Sequence, residues 1–372
     1  MLFECYFAAR KKKRKTNSQI EFELNFEENI FNLYEEIISK KYVQQKSNCF
    51  IINKPVKREI FAASFRDRVV HHFIFKILNP FIEKKLLYDI YSCRKGKGTS
   101  LGINRAASAM QSVSKNYKQQ SFVLKLDISG YFMNINKHLL YSKVLDVIND
   151  SEIDLPIQSN LLKYLVKGNI YHDPTKHCEF KSSISQWKGL PDNKSLFKTP
   201  NNCGLAIGNL TSQLYGNLFL NDFDHYVKSE LKIKKYGRYV DDIYFFDNDR
   251  LLLADAIKKI KKRLYDVEKL RLHPKKIYLQ NINKGFLFLG IYILPFRKYI
   301  GKRIKKGLFN SLYDLNENCS TQSELQRKIY VFQSYFSILR RYDCCKLQNK
   351  IRFSYFPFVM SKWNYKNIKC SF

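Results

Sequence analysis

The feature that most constrains this sequence is a pair of adjacent acids, Asp241 and Asp242, between two short apolar and aromatic runs. The runs lie within residues 236–246, and polar residues between two such runs predict a β-hairpin with the acids at its turn. Acids are scarce, because the chain has 33 Asp and Glu against 65 Lys and Arg. Aspartate is common in turns, and in one interpretation the pair only solvates the hairpin. Adjacent carboxylates repel each other, which favours a functional interpretation.

A second acidic centre follows another apolar run. Residues 121–126 form a short apolar, β-branched and aromatic run that ends at Asp127, which predicts a buried strand. Carboxylates are the hard oxygen ligands that Mg²⁺ prefers. Two such ions about 3.5 to 4 Å apart activate an attacking hydroxyl and stabilise a leaving pyrophosphate in phosphoryl transfer. The three acids therefore predict a magnesium-dependent phosphoryl-transfer site.

The charge of the chain indicates the class of its partner. The formal net charge is +32 over 372 residues, of which 45% are hydrophobic. This composition excludes disordered and small disulfide-scaffold proteins and predicts an anionic partner, nucleic acid before membrane. Nine cysteines without a CxxC pair predict reduced thiols. Because no apolar stretch approaches the roughly 18 residues of a membrane span, we expect a cytoplasmic protein with no membrane partner.

Apolar periodicity predicts helices and strands in alternation. Helices are expected at residues 26–41, 68–87, 137–147, 214–231 and 253–267. Short β pieces are expected at residues 49–61, with strands at 121–126, 277–280 and 286–294. This order predicts an antiparallel sheet with helices on one side, the α+β class.

Three segments differ from this pattern. Residues 149–202 are poor in periodicity, which predicts an insertion or a mobile connection. An uninterrupted basic run from Arg10 to Lys15 predicts a mobile arm or, alternatively, a nuclear address. From Phe296 onward the pattern is helical and basic, which predicts a separate helical unit.

Longer motifs around the acids resemble those of reverse transcriptases. YVDD at 239–242 resembles the family's Y-x-D-D motif, and DISGYF at 127–132 resembles the motif with the other metal-binding aspartate. GLAIGNLTSQ at 204–213 resembles the glycine-containing loop that cradles the nascent base pair. Further matches, in the family's order, are RDRVVHH at 66–72, YSCRKGKGT at 91–99, LHPKKIYLQ at 272–280 and GFLFLG at 285–290.

The resemblance covers residues 51 to about 295 and implies a right-hand polymerase of the α+β class. Such a fold has fingers, a palm with an antiparallel sheet backed by helices, and a helical thumb. We accordingly predict a basic N-terminal arm and helix over 1–50 and fingers over 51–120. A palm over 121–295, with an insertion at about 149–202, and a basic thumb over 296–372 complete the predicted division.

The resemblance also assigns catalytic roles. Asp127 and Asp241 would be the principal ligands of two Mg²⁺ ions, with Mn²⁺ as the alternative metal. The carbonyl of Ile128 would assist them, and Asp242 would be more peripheral. Lys276 matches the lysine that approaches the leaving pyrophosphate. The predicted catalytic residues are therefore these three acids and Lys276.

Substrate contacts are implied in the same way. Arg58, with Lys54 or Lys57 nearby, would grip the triphosphate, and Phe132 falls at the position whose ring excludes a 2′-hydroxyl. For the lysines, a solvated basic face is the alternative. The other implied nucleotide contacts are Tyr131, Ile207, Gly208 and Gln213. The implied nucleic-acid contacts are Arg94, Lys95, Lys97, Phe286, Gly290, Arg340 and Arg341.

One departure from the family pattern suggests a subgroup. Ile207 stands where most members have Gln, and its aliphatic side chain cannot hydrogen-bond the nucleotide or template, which predicts low fidelity. Together with Gly208 to Gln213 it resembles the branch of diversity-generating retroelement and bacterial phage-defence reverse transcriptases. Ala206 replaces the Pro usual in that branch.

The resemblance implies an RNA-directed DNA polymerase that makes cDNA from deoxynucleotides on an RNA template. We expect a role in bacterial antiphage defence with a dedicated noncoding RNA and assembly into oligomers. One alternative is a low-fidelity diversity-generating enzyme with a small basic accessory protein. A second alternative is a nucleic-acid-binding protein with a vestigial polymerase site.

Overall fold

The computed structural model describes residues 1–11, 16–54, 56–150, 154–316 and 321–355. They form two compact units, of which the first comprises residues 1–98, 124–245 and 251–278. The second comprises residues 99–123, 246–250 and the chain from 279. Most of the predicted basic arm, residues 12–15, and the end of the predicted thumb, residues 356–372, fall outside the described residues.

Helices and strands alternate along the described chain, which confirms the α+β class. The helices are α1 (Leu2–Arg10), α2 (Asn17–Leu24), α3 (Phe26–Ile38), α4 (Phe65–Lys85), α5 (Thr99–Val113), α6 (Tyr131–Asn134), α7 (Lys137–Ile148), α8 (Ser159–Tyr171), α9 (Leu210–Phe219), α10 (Asn221–Ser229), α11 (Arg250–Asp266), α12 (Lys302–Asn316), α13 (Gln322–Leu339) and α14 (Cys345–Lys350). The strands are β1 (Ser47–Ile52), β2 (Arg58–Ala62), β3 (Phe122–Asp127), β4 (Cys178–Phe180), β5 (Lys235–Tyr239), β6 (Asp242–Asp247), β7 (Tyr278–Asn281), β8 (Phe286–Phe288), β9 (Ile291–Leu294) and β10 (Arg297–Ile300).

The strands form three sheets. A four-stranded sheet has the order β5-β6-β3-β7, so β6 and β3 are its central strands. The apolar run of β6, from Ile243 to Phe246, is buried at every position, as expected of a strand covered on both faces. A second sheet has the order β2-β1-β4, with Cys49 of β1 opposite Phe61 of β2. In the second unit, β8, β9 and β10 form an antiparallel sheet.

A buried ion pair joins helix α10 to strand β5. Arg238 and Asp224 each have fully buried side chains. Arg238 donates from Nε to Oδ1 of Asp224 at 2.7 Å and from one terminal nitrogen to Oδ2 at 2.6 Å. The same nitrogen donates to the Asn217 carbonyl at 3.2 Å, and Tyr236 donates its hydroxyl proton to Asp224. The pair therefore satisfies both charges without water and fixes β5 against α9 and α10.

The structure differs from the predicted elements in four places. The predicted helix over 214–231 is two helices, α9 and α10, because Asn221 and the acids after it favour a new helix N-terminus. The predicted strand over 286–294 is a hairpin, β8 and β9, that turns through positive φ angles at Leu289 and Gly290. Strand β10 lies at the start of the segment from Phe296 onward, in which a helical pattern was predicted to dominate. Within the low-pattern residues 149–202, α8 buries an apolar face that includes Leu162 and Val166.

The structure also bears on two further expectations, which concern membrane-spanning segments and the state of the cysteines. Within the described ranges, none of the helices is both long and apolar enough to cross a membrane. The cysteines there are free thiols: Cys5, Cys49, Cys93, Cys178, Cys203, Cys344 and Cys345. The predicted division into arm, fingers, palm and thumb and the predicted cytoplasmic location stay predictions.

We predict that Asp224→Asn lowers the free energy of unfolding by about 3 to 5 kcal/mol, because it leaves the buried charge of Arg238 without its partner. Urea denaturation followed by circular dichroism measures this change. Asp222→Asn is the matched control, since Asp222 lies on the same helix, is 56% exposed and pairs with Lys143 at the surface. The control should cost at most about 1 kcal/mol. Equal losses in both variants would contradict the assigned importance of the buried pair.

Candidate active site

The fold brings the two acidic centres together. Asp127 is the last residue of β3 and Asp242 is the first residue of β6, and these strands are neighbours in the sheet. The backbone amide of Ile128 donates to the carbonyl of Asp241 at 3.2 Å. All three carboxylates therefore lie at one end of two adjacent strands. The hairpin turn consists of Val240 and Asp241, one residue earlier than the predicted turn at Asp241 and Asp242, so Asp242 is the first residue of β6.

The hairpin turn is strained and held from both sides. Val240 has a φ of +58°, in the left-handed region that a β-branched residue rarely adopts. Arg238 donates from a terminal nitrogen to the Val240 carbonyl at 3.1 Å, and the Val240 amide donates to Ser92 Oγ at 3.2 Å. Ser92 in turn donates to the Asn217 side chain at 2.8 Å. Such overdetermined strain is typical of functional sites.

Two lysines face the acids. The Lys276 ammonium lies 2.9 Å from both carboxylate oxygens of Asp127. Its position depends on the segment after α11, because the His273 amide donates to the Asp127 carbonyl at 2.8 Å and Leu272 pairs with Ile128. Lys125 lies 3.0 Å from Oδ1 of Asp242. Within the described chain, Asp241 makes no ion pair of its own, although the charge of Lys276 acts to lower its pKa.

Burial changes the acidity of the hairpin acids. Burial, followed by the charge of Asp127, raises the pKa of the Asp241 carboxyl from 3.8 to about 6. Burial also raises the pKa of Asp242 to about 6, although Lys125 opposes this shift. In both cases Asp127 contributes, so the three carboxylates are close enough to repel one another. Perturbed acids that converge in this way are typical of metal or catalytic sites.

The donor set fits a divalent cation. In the ranges that the structure describes, no three His, Cys, Asp or Glu side chains are already arranged as a metal cluster. The Lys276 ammonium nevertheless contacts both oxygens of Asp127, as a metal ion would, and among the described residues Asp241 makes no ion pair of its own. Three carboxylates with hard oxygen donors match the preference of Mg²⁺. The role of Ile128 as a carbonyl ligand stays a prediction.

The residues predicted to contact the nucleotide fall into two groups. Phe132 and Ile207 are partly buried and pack against one cluster with Cys49, Phe61 and Leu196. Tyr131, in contrast, is buried and donates its hydroxyl proton to the Gly216 carbonyl. The structure thus packs Phe132 and Ile207 on the same cluster, and the Tyr131 ring lies 5.3 Å from that of Phe132.

The loop with Gly208 approaches strand β2 closely. The Phe61 amide donates to the Ile207 carbonyl at 3.0 Å. Gly208 has a φ of +122°, and a Cβ atom there would lie 3.0 Å from Ile60 and 3.2 Å from the Phe61 carbonyl oxygen. A side chain at this position would therefore separate the loop from β2. Gln213 is exposed on α9.

The predicted triphosphate grip lies on and before β2. Arg58 and Lys54 are exposed, and Lys57 donates to the Lys188 carbonyl at 2.7 Å. No phosphate contact of these residues is tested by the structure, so their roles stay predictions.

The predicted nucleic-acid contacts differ in accessibility. The Arg94 side chain is only 5% exposed and donates to Glu83 and to the carbonyls of Leu87 and Ile90, so it stabilises the end of α4. Lys95 is exposed, and Lys97 contacts the Tyr88 ring and carbonyl. In the second unit, Phe286 is buried, Gly290 lies in the β8–β9 turn, and Arg340 and Arg341 are exposed at the end of α13.

Sequence reasoning missed two residues of this centre. Lys125 lies two residues before Asp127, and alternate strand residues share a face, so the spacing could have identified it. Arg238 lies in the sequence before the acid pair, where an arginine suggests exposure rather than complete burial. Its partner Asp224 lies 14 residues earlier, in a different predicted element. The two side chains meet because α10 packs on β5.

Comparison with known protein families gives a match over most of the chain. Residues 52–293 match the family described as reverse transcriptase (RNA-dependent DNA polymerase). No curated protein matches the chain in sequence.

Solved structures with similar folds include fungal telomerases. Apo telomerase from Candida tropicalis, truncated from its C-terminal domain, aligns with a TM-score of 0.50 at 14% identity, covering 72% of this chain and 59% of that one. Candida albicans telomerase in complex with a fragment of telomeric RNA aligns with a TM-score of 0.48 at 11% identity, covering 90% of this chain and 64% of that one. The chain thus spans about three-fifths of the length of these proteins. At such identities the similarity concerns the fold alone.

We predict that Asp241→Asn stabilises the protein in the absence of metal. A carboxyl whose pKa is raised on folding favours the native state when protonated, and this contribution is lost as the pH rises from about 4 through 6. The neutral amide should therefore raise the free energy of unfolding at pH 7.5 by about 1 to 2 kcal/mol. Urea denaturation in EDTA measures the difference, which should shrink as the pH falls to 4.5. A variant less stable than the wild type at pH 7.5 would contradict the assigned electrostatics.

Proposed function

The chain belongs to the reverse transcriptase family of RNA-dependent DNA polymerases, which are nucleotidyltransferases, and we propose that it synthesises cDNA on an RNA template by two-metal phosphoryl transfer. The observation that carries this proposal is the convergence of Asp127 and Asp241 at the ends of adjacent strands. Reverse transcriptase domains typically use Mg²⁺. The proposed substrates are deoxynucleotides, and the proposed partners are an RNA template and its cDNA product.

The residues of the site support a division of roles. Asp127, Asp241 and the Ile128 carbonyl would hold the metal ions, with Asp242 at their periphery. When bound, divalent ions lower the pKa of an attacking 3′-hydroxyl and neutralise charge on the leaving pyrophosphate. The raised pKa of Asp241 means that metal binding competes with a proton at this carboxyl near pH 6.

Lys276 would serve the leaving group. Its side chain is 52% exposed, although it pairs with Asp127, so the ammonium has space in which to turn towards solvent. A lysine ammonium is a flexible point charge that suits a phosphate oxygen. Lys276 therefore balances the charge of Asp127 and would donate a hydrogen bond or a proton to pyrophosphate as it departs.

The proposed biological role is bacterial antiphage defence with a dedicated noncoding RNA as template. This finer assignment rests on the resemblance of Ile207 to Gln213 to the defence-associated branch. The second candidate is a low-fidelity diversity-generating reverse transcriptase with a basic accessory protein. It is favoured by the packing of Ile207 in an apolar cluster, because no amide is available there to read the nucleotide. Sequencing of the cDNA distinguishes a single copied RNA from a product with substitutions spread over a template repeat.

We predict that Asp127→Asn and Asp241→Asn each reduce Mg²⁺-dependent incorporation of deoxynucleotides on a primed RNA template by at least about a hundredfold. The reason is the loss of the carboxylates that hold the metal ions. Asp247→Asn, at the far end of the same β6 strand, is the matched control and should retain activity. Full activity in either catalytic variant would refute the assigned site. Nucleic-acid binding without synthesis by the wild type would instead favour the vestigial alternative.

Phe132→Ala is predicted to weaken the exclusion of ribonucleotides. Its ring would contact the 2′ position of the incoming sugar, and its removal should lower the ratio of kcat/KM for dTTP to that for UTP by about tenfold or more. Single-nucleotide incorporation on a poly(rA) template measures both values. An unchanged ratio would show that the ring belongs only to the apolar cluster.

A further inference from the structure

Glu59 is a buried acid on strand β2 whose partners all belong to one distant segment. It is 1% exposed, and its Oε1 accepts hydrogen bonds from Trp187 Nε1 at 2.7 Å and Ser195 Oγ at 2.9 Å. Its Oε2 accepts from the Leu196 amide at 2.5 Å. In the described part of the chain no cationic side chain pairs with it. Hydrogen bonds from uncharged donors in residues 184–198, here called the latch segment, therefore stabilise the carboxylate.

The latch segment also reaches the loop that follows Asp127. Asn193 donates from its side-chain amide to Ser129 Oγ at 3.3 Å. A Cβ atom on Gly130 would lie 2.6 Å from the Asn193 carbonyl oxygen, and Gly130 has a φ of +53°. Only glycine accommodates both this conformation and this approach. The segment thus contacts the loop that directly follows the first predicted metal ligand.

Apolar packing places the segment beside the predicted nucleotide contacts. Leu196 is a buried member of the cluster that includes Phe61 and Met133, and Trp187, Phe132 and Ile207 pack against the same cluster. Lys57, next to Arg58, donates to the Lys188 carbonyl of the segment. Strand alternation directs Glu59 and Arg58 to opposite faces of β2. Fixing Glu59 therefore also fixes the face from which Arg58 extends.

We propose that the latch segment forms one wall of the pocket for the incoming nucleotide and that Glu59 is the positioning residue that holds it there. The inference rests on the proposed polymerase function. A carboxylate is required because all three partners are donors, whereas a glutamine would offer one acceptor oxygen and turn an NH₂ group towards another donor. Loss of the latch should weaken nucleotide binding without removing a group that takes part in the chemistry.

Steady-state kinetics and hydrogen exchange of Glu59→Gln test this proposal. We expect the KM for dTTP to rise by at least about tenfold, with kcat nearly unchanged. The reason is that the hydrogen bonds to the Glu59 carboxylate, which hold the latch segment in the nucleotide-bound state, are lost. The affinity for primed RNA should not change. Amide exchange in residues 184–198 should become faster. Glu179→Gln is the matched control, because Glu179 is an exposed acid whose ion pair with Lys181 lies outside the latch segment, and its loss should leave all four quantities unchanged.

A second variant, Trp187→Phe, keeps the proposal testable even if Glu59→Gln fails to fold. Trp187→Phe keeps the ring in the apolar cluster and removes one donor to Glu59, so it should raise the KM and the exchange rate in the same direction by a smaller factor. Trp187 is one of two tryptophans, and in a Trp363→Phe background its fluorescence should change when dTTP and Mg²⁺ are added.

The outcomes separate the latch from the polymerase function. An inactive wild type would remove the proposed function, while faster exchange in Glu59→Gln and a Trp187 response to dTTP would still support the latch beside a nucleotide site. Unchanged exchange and KM in Glu59→Gln would overturn the inference. Parallel losses of kcat, nucleotide affinity and RNA affinity would overturn it as well, because they would indicate a general structural role.

Discussion

The main physical constraint on this structure is the repulsion between three carboxylates. The fold brings them together in a poorly hydrated site. Asp241 lies in the turn before β6, Asp242 is the first residue of β6, and Asp127 is the last residue of β3. Burial makes the charges of Asp241 and Asp242 more costly than in water. The surrounding structure must therefore hold the acids in place, and the buried Arg238–Asp224 pair contributes to this. Its guanidinium reaches the carbonyl of the strained residue Val240, so one buried interaction links the helices to the hairpin turn.

The positive side chains around the acids do not fully compensate their negative charge, and the remaining charge favours the binding of a cation. Lys276 and Lys125 neutralise Asp127 and Asp242, but Asp241 makes no ion pair of its own among the described residues. The remaining negative charge creates affinity for a cation where the proposed chemistry requires one. Both lysines are single point charges on flexible stems, so they can yield to a metal ion or a phosphate. A site with full compensation would be more stable and less able to bind metal, which is the usual conflict between stability and function.

The sequence predicted the parts of this site that depend on local pattern. The apolar runs around Asp241 and before Asp127 are long enough to indicate strands, and ordered motifs allowed the family to be recognised, which residues 52–293 confirm. Contacts between distant segments could not be predicted in the same way. Glu59 lies beside exposed cations in sequence, whereas its donor Trp187 is 128 residues away. Helix α8 was missed because its apolar spacing lies within a long stretch rich in Pro, Gly, Asn and Ser, where the pattern is interrupted.

The most direct test of this account counts the metal ions at the three acids. Electron paramagnetic resonance of Mn²⁺, bound together with primed RNA and a non-hydrolysable deoxynucleotide, detects coupling between ions that lie about 4 Å apart. The assigned metal site should hold two coupled ions in the wild type and lose the coupling in both Asp127→Asn and Asp241→Asn. A single uncoupled ion in the wild type, or coupling that persists in either variant, would contradict this assignment.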